Sequence, residues 1–314
     1  LVVVESWLNS SAPNKSRGRI LSLYGLVFLA STGVAQPLLA IFTPEEFSLF
    51  CITSILISIC VLPIGLGKVH GNPQIATVKI RLVGMLRKSP LGVTGVIISG
   101  MVIEAHMTLT PRYAQSIGMS AASIGFLLFM VSVGTIVLQL PLGWLSDHRD
   151  RRFALVIGSG VGAAAAIGFY ISGGSGPFLL LMGFLLGGFM MPLYPLTLAT
   201  VNDQMEAYEM IEAASALYVF YGLGSMAGPM IAATGMQKFG AGALYLFIAL
   251  MLVLYLGFGL LRIHLVPKFL VRGAHAHYRT VPRTTLMAYR LLKRPRQRQK
   301  QSPRQRPKPS GRRP

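Results

Sequence analysis

Residues 121–172 read AASIGFLLFMVSVGTIVLQLPLGWLSDHRDRRFALVIGSGVGAAAAIGFYIS. Two apolar stretches, 121–142 and 153–172, flank a short segment that contains Arg149, Arg151 and Arg152. A helix needs about 20 mostly apolar residues to cross a bilayer. Lipid offers no hydrogen-bond partners to backbone groups, so such stretches must be helical. The sequence therefore predicts two membrane-spanning helices joined by a tight basic loop.

The same apolar pattern extends through most of the chain. Of its 314 residues, 53% are hydrophobic and 12% are charged, whereas soluble domains usually carry about 25% charged residues. The predicted fold class is therefore an all-α membrane protein. A partial span covers residues 1–8, and because the chain opens inside this apolar run, we expect further residues before Leu1. The complete predicted spans are 20–41, 47–67, 91–110, 121–142, 153–172, 178–200, 212–235 and 242–263.

The lysines and arginines predict the orientation of these spans. If the spans alternate in direction, all but two of the 29 basic residues fall on one side, the exceptions being Arg112 and Lys238. Basic residues are retained on the cytoplasmic side of a membrane. We therefore expect a multi-pass protein of the inner (plasma) membrane with a cytoplasmic C-terminus.

The net charge of +19 arises mainly from the tail, residues 264–314. Its Arg, Lys, Gln, Pro and Ser content predicts disorder. No aromatic residue follows Tyr289, so base stacking has no support, and we expect contact with membrane lipids rather than a specific nucleic acid. Cys51 and Cys60 lie too far apart along one helix to form a disulfide. No metal-ligand spacing is present, and no cofactor is predicted.

The basic loop carries a motif, Gly143-Trp-Leu-Ser-Asp147, followed by its arginine cluster. It resembles the signature of the major facilitator superfamily, which joins helices two and three of each six-helix half. The resemblance implies two such halves, the first incomplete here, with the complete spans numbered as helices 5 to 12. The implied divisions are residues 1–67 for the end of the first half, 68–90 for a central cytoplasmic loop, 91–263 for the second half and 264–314 for the tail.

Shorter pieces of the chain are similar to the YcaD-like branch of this superfamily. The resemblance covers about residues 1–263 and implies no particular substrate. The matching pieces are Val3-Val-Glu-Ser6, Arg17-Gly-Arg19, Ile98-Ser-Gly100, Ala122-Ser-Ile-Gly-Phe126 and Met191-Pro-Leu-Tyr-Pro195.

The residue types of the motif suit a latch that holds one conformational state. Gly143 would permit a tight helix exit, and Asp147 could accept hydrogen bonds from a helix N-terminus. Arg149, Arg151 and Arg152 would hold the loop in the cytoplasm and pair with acids or lipid phosphates. The alternative is a short basic loop that only sets topology.

Ionisable residues inside spans are rare and usually functional. Glu104 is the first candidate for proton coupling or solute binding, with pairing to Arg112 near the outer end as the alternative. His106 is the second candidate, although it points about 200° away from Glu104 on a helix. Its alternative is a neutral histidine that is hydrogen-bonded to Thr110 or to the backbone.

Uncharged residues complete the set of candidates. Gln36, Gln139 and Tyr194 could bind solute or merely bridge helices. Tyr194 lies between two prolines, where a broken helix could expose backbone carbonyls to a cavity. Small residues and prolines resemble the glycine-proline stretch of proton-coupled drug exporters, with ordinary close packing as an equal alternative. The packing candidates are Gly33, Pro37, Gly224, Gly228 and Pro229.

These observations predict a secondary transporter that moves a small solute by alternating access. Proton coupling through Glu104 and an efflux type are both compatible with these residues, and the sequence does not give the direction of transport. Two alternatives remain open. One is a non-transporting sensor or scaffold of the same fold. The other is an enzyme within the membrane, which the sequence disfavours because no convergent nucleophile or metal set accompanies His106.

Overall fold

The computed structural model describes residues 47–66, 82–173, 176–205 and 210–265, together with Tyr24, Val27, Ser31, Gly33 and Ala35. Every regular element in these residues is helical, which confirms the all-α class. The helices are α1 (Ser48–Leu66), α2 (Leu82–Lys88), α3 (Pro90–Ser116), α4 (Ala121–His148), α5 (Arg151–Ile171), α6 (Pro177–Met190), α7 (Leu193–Asn202), α8 (Met210–Phe239) and α9 (Ala243–Leu265). The predicted partial span 1–8, much of span 20–41, most of the loop 68–90 and nearly all of the tail 264–314 lie outside the described residues.

Six described segments are long and apolar enough to cross a membrane, and they coincide with the spans predicted within 91–263. They are Pro90–Ser116, Ala121–His148, Arg151–Ile171, Pro177–Asn202, Glu212–Phe239 and Ala243–Leu265. Several predicted spans are shorter than the observed helices. For example, α3 continues through Pro111 to Ser116. An internal proline removes only one hydrogen bond of the helix ladder, so it need not end a helix that is held by packing on both sides.

Two pairs of helices meet at glycines, with their backbones in direct contact. Between α3 and α8, a Cβ atom added at Gly228 would overlap the carbonyl oxygen of Met101. Between α4 and α6, a Cβ added at Gly187 would overlap the carbonyl oxygen of Val131. In lipid, small residues let helices approach closely enough for dispersion to hold them together. These glycines therefore determine the closest helix contacts of the bundle.

The helix pairs obey an internal symmetry. The first three spans are α3, α4 and α5, and the last three are α6 with α7, then α8, then α9. Suppose that each span of one set is replaced by the span at the same position in the other set. The α3–α8 contact then becomes the α4–α6 contact, and the α5–α9 contact stays the same. All three contacts are present. Because each set has an odd number of spans, the second set enters the membrane from the opposite side. The six-span bundle is thus built as an inverted repeat.

The span that contains α6 and α7 bends at Pro192. Helix α6 ends at Met190 and α7 begins at Leu193, but Pro192 itself keeps a helical conformation with φ −70°. The Leu196 amide donates to the Pro192 carbonyl at 3.0 Å, so helical hydrogen bonding resumes at once. The break is therefore a kink, and Tyr194 lies directly after it.

Aromatic side chains fill the core where α3, α5 and α9 meet. Tyr245 is fully buried, and its ring stacks on Phe169 with centroids 4.2 Å apart. Tyr113 approaches the same ring edge-on at 4.8 Å. The outside of the bundle is apolar as well, since the side chains of Leu140 and Phe239 are 76% and 81% exposed. A bundle that is apolar both inside and outside matches a lipid solvent.

Candidate functional site

Glu104 lies near the middle of α3. Along the helix axis it is about 21 Å from Pro90 and about 18 Å from Ser116, at 1.5 Å per residue. Its side chain is half-buried, and the Tyr221 hydroxyl of α8 donates to its Oε1 atom at 3.1 Å. No ion pair among the described residues includes Glu104, so the alternative pairing with Arg112 is not formed.

Tyr221 belongs to a cluster of three tyrosines that come from two other helices. The rings of Tyr194 in α7 and Tyr221 in α8 lie 4.9 Å apart at 65°. The ring of Tyr218, also in α8, lies 6.2 Å from Tyr194 at 60°. We call Glu104 and these three tyrosines the midspan site. Tyr221 thus links Glu104 to Tyr194, two candidates that are 90 positions apart in sequence.

The midspan site lies at the surface of the six-span bundle rather than inside it. Tyr218 is 40% exposed, while Glu104, Tyr194 and Tyr221 are half-buried. An ionisable side chain at mid-membrane depth is costly to expose to lipid. The open side of the site must therefore face protein or water.

His106 is not part of this site. It is fully buried on the other side of α3, where the Thr110 hydroxyl lies 3.0 Å from its Nδ1 atom and 3.1 Å from the Tyr245 hydroxyl. Its Nε2 atom is buried and meets no hydrogen-bond partner in the described part of the chain. The opposed directions predicted for Glu104 and His106 are observed, and the contact with Thr110 is the one expected of a histidine held in the core.

The two glutamine candidates and a separate cavity add little to the site. Gln139 is half-buried in α4, outside the midspan site, and Gln36 lies outside the described residues. A cavity of about 290 Å³ lies between the far ends of α3 and α8 and does not include Glu104. Its lining residues are Leu109, Arg112, Ser116, Ala233, Met236, Gln237 and Ala241.

The basic loop between α4 and α5 corrects two interpretations. Helix α4 runs through Gly143 and ends at His148, so Gly143 does not form a tight helix exit. Asp147 does not cap a helix in the described structure. Instead Asp150 is the N-cap of α5, because its extended backbone lets Oδ1 accept from the Arg152 amide at 3.0 Å. An aspartate that directly precedes the first helical residue is in the preferred capping position.

Arg152 ties the start of α5 to the end of α9. Its side chain is only 3% exposed, and its Nε and Nη2 atoms donate to the Asp150 carboxylate at 3.2 and 2.8 Å. Its Nη1 atom donates to the carbonyl of Arg262 at 3.3 Å. A buried guanidinium is stable only when its charge is paired and its hydrogen bonds are satisfied, and this one is.

Arg151 ties the same loop to the end of α7. Its Nε atom donates to Oδ2 of Asp203 at 2.6 Å, and its Nη1 lies 3.6 Å from Oδ1 of Asp147. Asp147 is 66% exposed, and Arg149 at the end of α4 is exposed as well. The loop is thus held within the bundle by Arg151 and Arg152 and presents Asp147 and Arg149 outward.

The predicted packing residues of α8 lie in its contact with α3. A Cβ at Gly224 would overlap the carbonyl oxygen of Ile97, as one at Gly228 would overlap that of Met101. Helix α8 passes through Pro229 without ending. These glycines therefore serve close packing in the structure.

The remaining packing candidates precede the central loop. Gly33 is buried, and a Cβ there would lie 3.6 Å from the Cβ of Ser132 in α4. The chain before residue 68 thus packs against α4 at this point. Pro37 lies outside the described residues.

The chain is similar to known proteins over most of its length. The sequence profile of the Major Facilitator Superfamily matches residues 92–298, well over half of the chain. The chain belongs to the major facilitator superfamily. Within it, the chain is 32% identical over 258 residues to the MFS-type transporter YcaD of Shigella flexneri and to that of Escherichia coli. The Salmonella paratyphi B protein of the same name is 31% identical over 257 residues.

Each of these alignments covers 81% of this chain and 66% of the relative. The chain therefore spans about two-thirds of the length of the curated relatives it matches. The match to the superfamily and to YcaD confirms the resemblance seen in the sequence. It also identifies the chain as part of a multi-pass membrane protein.

Two contacts of this superfamily member were missed in the sequence. Tyr221 is not among the candidates predicted from the sequence, although it shares a helix face with Gly224 and Gly228, at spacings of three and seven. That shared face would have indicated that Tyr221 lies at a helix contact. Asp203 is not among the predicted residues either. The signal that could have indicated its role is its position, because it directly follows a span that ends on the same side of the membrane as the basic loop.

Proposed function

We propose that this protein is a secondary active transporter that moves a small solute by alternating access. The observation that carries the proposal is the midspan site, a carboxylate halfway along α3 that accepts a hydrogen bond from one member of a three-tyrosine cluster. Transporters of this architecture bind solute near the bilayer midplane and expose it to each side in turn. The open side of the site, away from the six-span bundle, is where another part of the protein would complete the cavity.

Glu104 is the proposed coupling group of this transporter. A carboxylate in a poorly hydrated site can hold either a proton or a positively charged solute, and the Tyr221 hydroxyl would orient it for both. In proteoliposomes that contain the full-length protein, a solute panel should reveal a flux that an imposed proton gradient accelerates. No flux for any solute, despite bound ligand, would instead favour a sensor.

The decisive variant is Glu104→Gln, which keeps the shape of the side chain and removes its charge. The gradient-driven flux should disappear in this variant. Glu212→Gln is the matched control, because Glu212 lies in the first turn of α8, near the end of its span. Gradient dependence that survives Glu104→Gln would remove Glu104 from the coupling mechanism.

The basic loop is proposed to be cytoplasmic. In a variant without Cys51 and Cys60, a membrane-impermeant maleimide should label Arg149→Cys only from the cytoplasmic side. It should label Ser120→Cys, at the other end of α4, only from the outside. Labelling of both positions from one side would contradict the topology.

The loop is also proposed to act as a latch through Arg151 and Asp203. Reversing one charge, as in Arg151→Asp or Asp203→Arg, should slow transport. The double exchange should restore part of the rate, because it rebuilds the ion pair with opposite polarity. A double variant as slow as the worse single variant would leave the loop with a topological role only.

A further inference from the structure

We propose that the midspan site binds an organic monocation, such as a quaternary ammonium or phosphonium ion with apolar substituents. Transport of that cation rests on the proposed function, but its binding does not. The inference comes from the charge balance of the site and from the arrangement of its aromatic rings.

The charge balance calls for one positive charge. Among the described residues, Glu104 is the only acid that lies inside a span away from its ends. Its hydrogen-bond donor, the Tyr221 hydroxyl, is neutral, and no described cation pairs with it. Arg112, the next cation along α3, is two turns away, or about 12 Å along the axis. A bound monocation would neutralise the carboxylate in a medium where opposite charges attract strongly.

The same balance limits the ligand. An anion would meet the charge of Glu104 directly. A dication would bring a second positive charge for which the described residues of the site offer no counter-charge. A site for a sugar would need several paired donors and acceptors, whereas the midspan site has one carboxylate and three phenolic hydroxyls. The single carboxylate thus selects a single positive charge.

The tyrosine rings supply the second half of the recognition. Cations bind over aromatic faces within about 6 Å of the ring centroid. The rings of Tyr194, Tyr218 and Tyr221 are tilted by 65° and 60° to their neighbours rather than stacked. They therefore form an aromatic corner that adjoins Glu104 through Tyr221, and apolar substituents of a cation can pack against it. The hydrogen bond of Tyr221 to Glu104 ties this corner to the carboxylate.

The test is equilibrium binding to the purified full-length protein in detergent, measured by isothermal titration calorimetry. The probes are tetraphenylphosphonium and tetraphenylborate, which have nearly the same shape and opposite charge. The phosphonium should bind and the borate should not. Equal binding of the two ions would show that the site recognises only apolar bulk, and it would overturn the proposal.

Three variants assign the binding to the midspan site. Glu104→Gln should weaken phosphonium binding by about 30-fold or more, as expected for removal of one partner of a desolvated charge pair. Tyr218→Leu should weaken it by about 2- to 30-fold, the range expected for one cation–π contact. Tyr218→Phe keeps the aromatic face and should bind like the wild type. Because Tyr218 is 40% exposed, neither change leaves a cavity in the core.

Tyr170→Leu is the matched control, since Tyr170 is an exposed tyrosine of α5, outside the site. It should leave the affinity unchanged. An unchanged affinity in Glu104→Gln, or an equal loss in Tyr218→Leu and Tyr170→Leu, would refute the assignment. Binding without transport would uphold this inference and refute the proposed function. Transport of a neutral or anionic solute, with no phosphonium binding, would do the reverse.

Discussion

The sharpest stability prediction concerns two glycines of α8 that differ only in what lies beside them. A Cβ added at Gly228 would lie 2.5 Å from Cα and 2.7 Å from the carbonyl carbon of Met101. A Cβ added at Gly222 would meet nothing within 4 Å. Both positions are interior to the same helix. Comparing Gly228→Ala with Gly222→Ala therefore isolates the close contact between α3 and α8.

The expected magnitude follows from this geometry. Two carbon atoms pack at about 3.5 Å or more, so Gly228→Ala requires α3 and α8 to separate by about 1 Å. Overpacking of this kind costs about 1–3 kcal/mol. Both variants also gain up to about 1 kcal/mol because alanine favours the helix over glycine. This gain cancels in the comparison, so Gly228→Ala should be less stable than Gly222→Ala by about 1–3 kcal/mol.

The assay is unfolding of the full-length protein in mixed micelles with increasing SDS, followed by far-UV circular dichroism. Gly222→Ala should unfold at the same SDS fraction as the wild type or at a higher one, and Gly228→Ala at a lower one. Equal free energies of unfolding for the two variants would mean that α3 and α8 do not touch at Gly228. The inverted-repeat packing of the bundle would then be wrong.

Two further predictions use the same assay. Arg152→Ala removes the buried partner of the Asp150 carboxylate and should lower the free energy of unfolding by about 3 kcal/mol. Arg149→Ala, at an exposed position of the same loop, should change it by less than about 0.5 kcal/mol. Similar losses in the two variants would contradict the buried ion pair. Thr110→Val keeps the shape of the side chain but removes the hydroxyl that contacts His106 and Tyr245, and it should lower the free energy of unfolding by about 2 kcal/mol. Thr108→Val, one half-turn away and exposed, should be neutral, and an equally neutral Thr110→Val would refute the buried network.

The spans could be predicted because their signal is local. A stretch such as 153–172 is apolar throughout, and its helical state follows from the lack of hydrogen-bond partners in lipid. The ends of the helices were predicted less accurately than the spans themselves. Pro111 looks like a helix breaker, yet α3 continues past it because neighbouring helices hold both of its flanks. Gly143 likewise looks like a residue at which a helix ends, yet α4 continues to His148. The next helix begins at Arg151 because Asp150 caps it.

The site was harder to predict, because its parts come from different helices. Glu104 could be found alone, since an acid in a span is conspicuous. Tyr194 could be found from its neighbouring prolines. That these two belong together depends on the direction in which the span bends at Pro192 and on which helix the glycine face of α8 contacts, and neither can be read from the local sequence. His106 was conspicuous for the same reason as Glu104, but the helix turns it into the core.

The midspan site depends on a contact that contains none of its side chains. Gly100 lies one turn before Glu104, on the same face of α3, and a Cβ at Gly100 would lie 2.5 Å from the carbonyl oxygen of Tyr221. Because the two backbones touch there, the Tyr221 ring is close enough for its hydroxyl to reach the Glu104 carboxylate. Any side chain at Gly100 would push α8 outward and separate the donor from its acceptor. Glu104 thus supplies the charge of the site. Its hydrogen bond to Tyr221 forms only because Gly100, four residues earlier, has no side chain to hold α8 away.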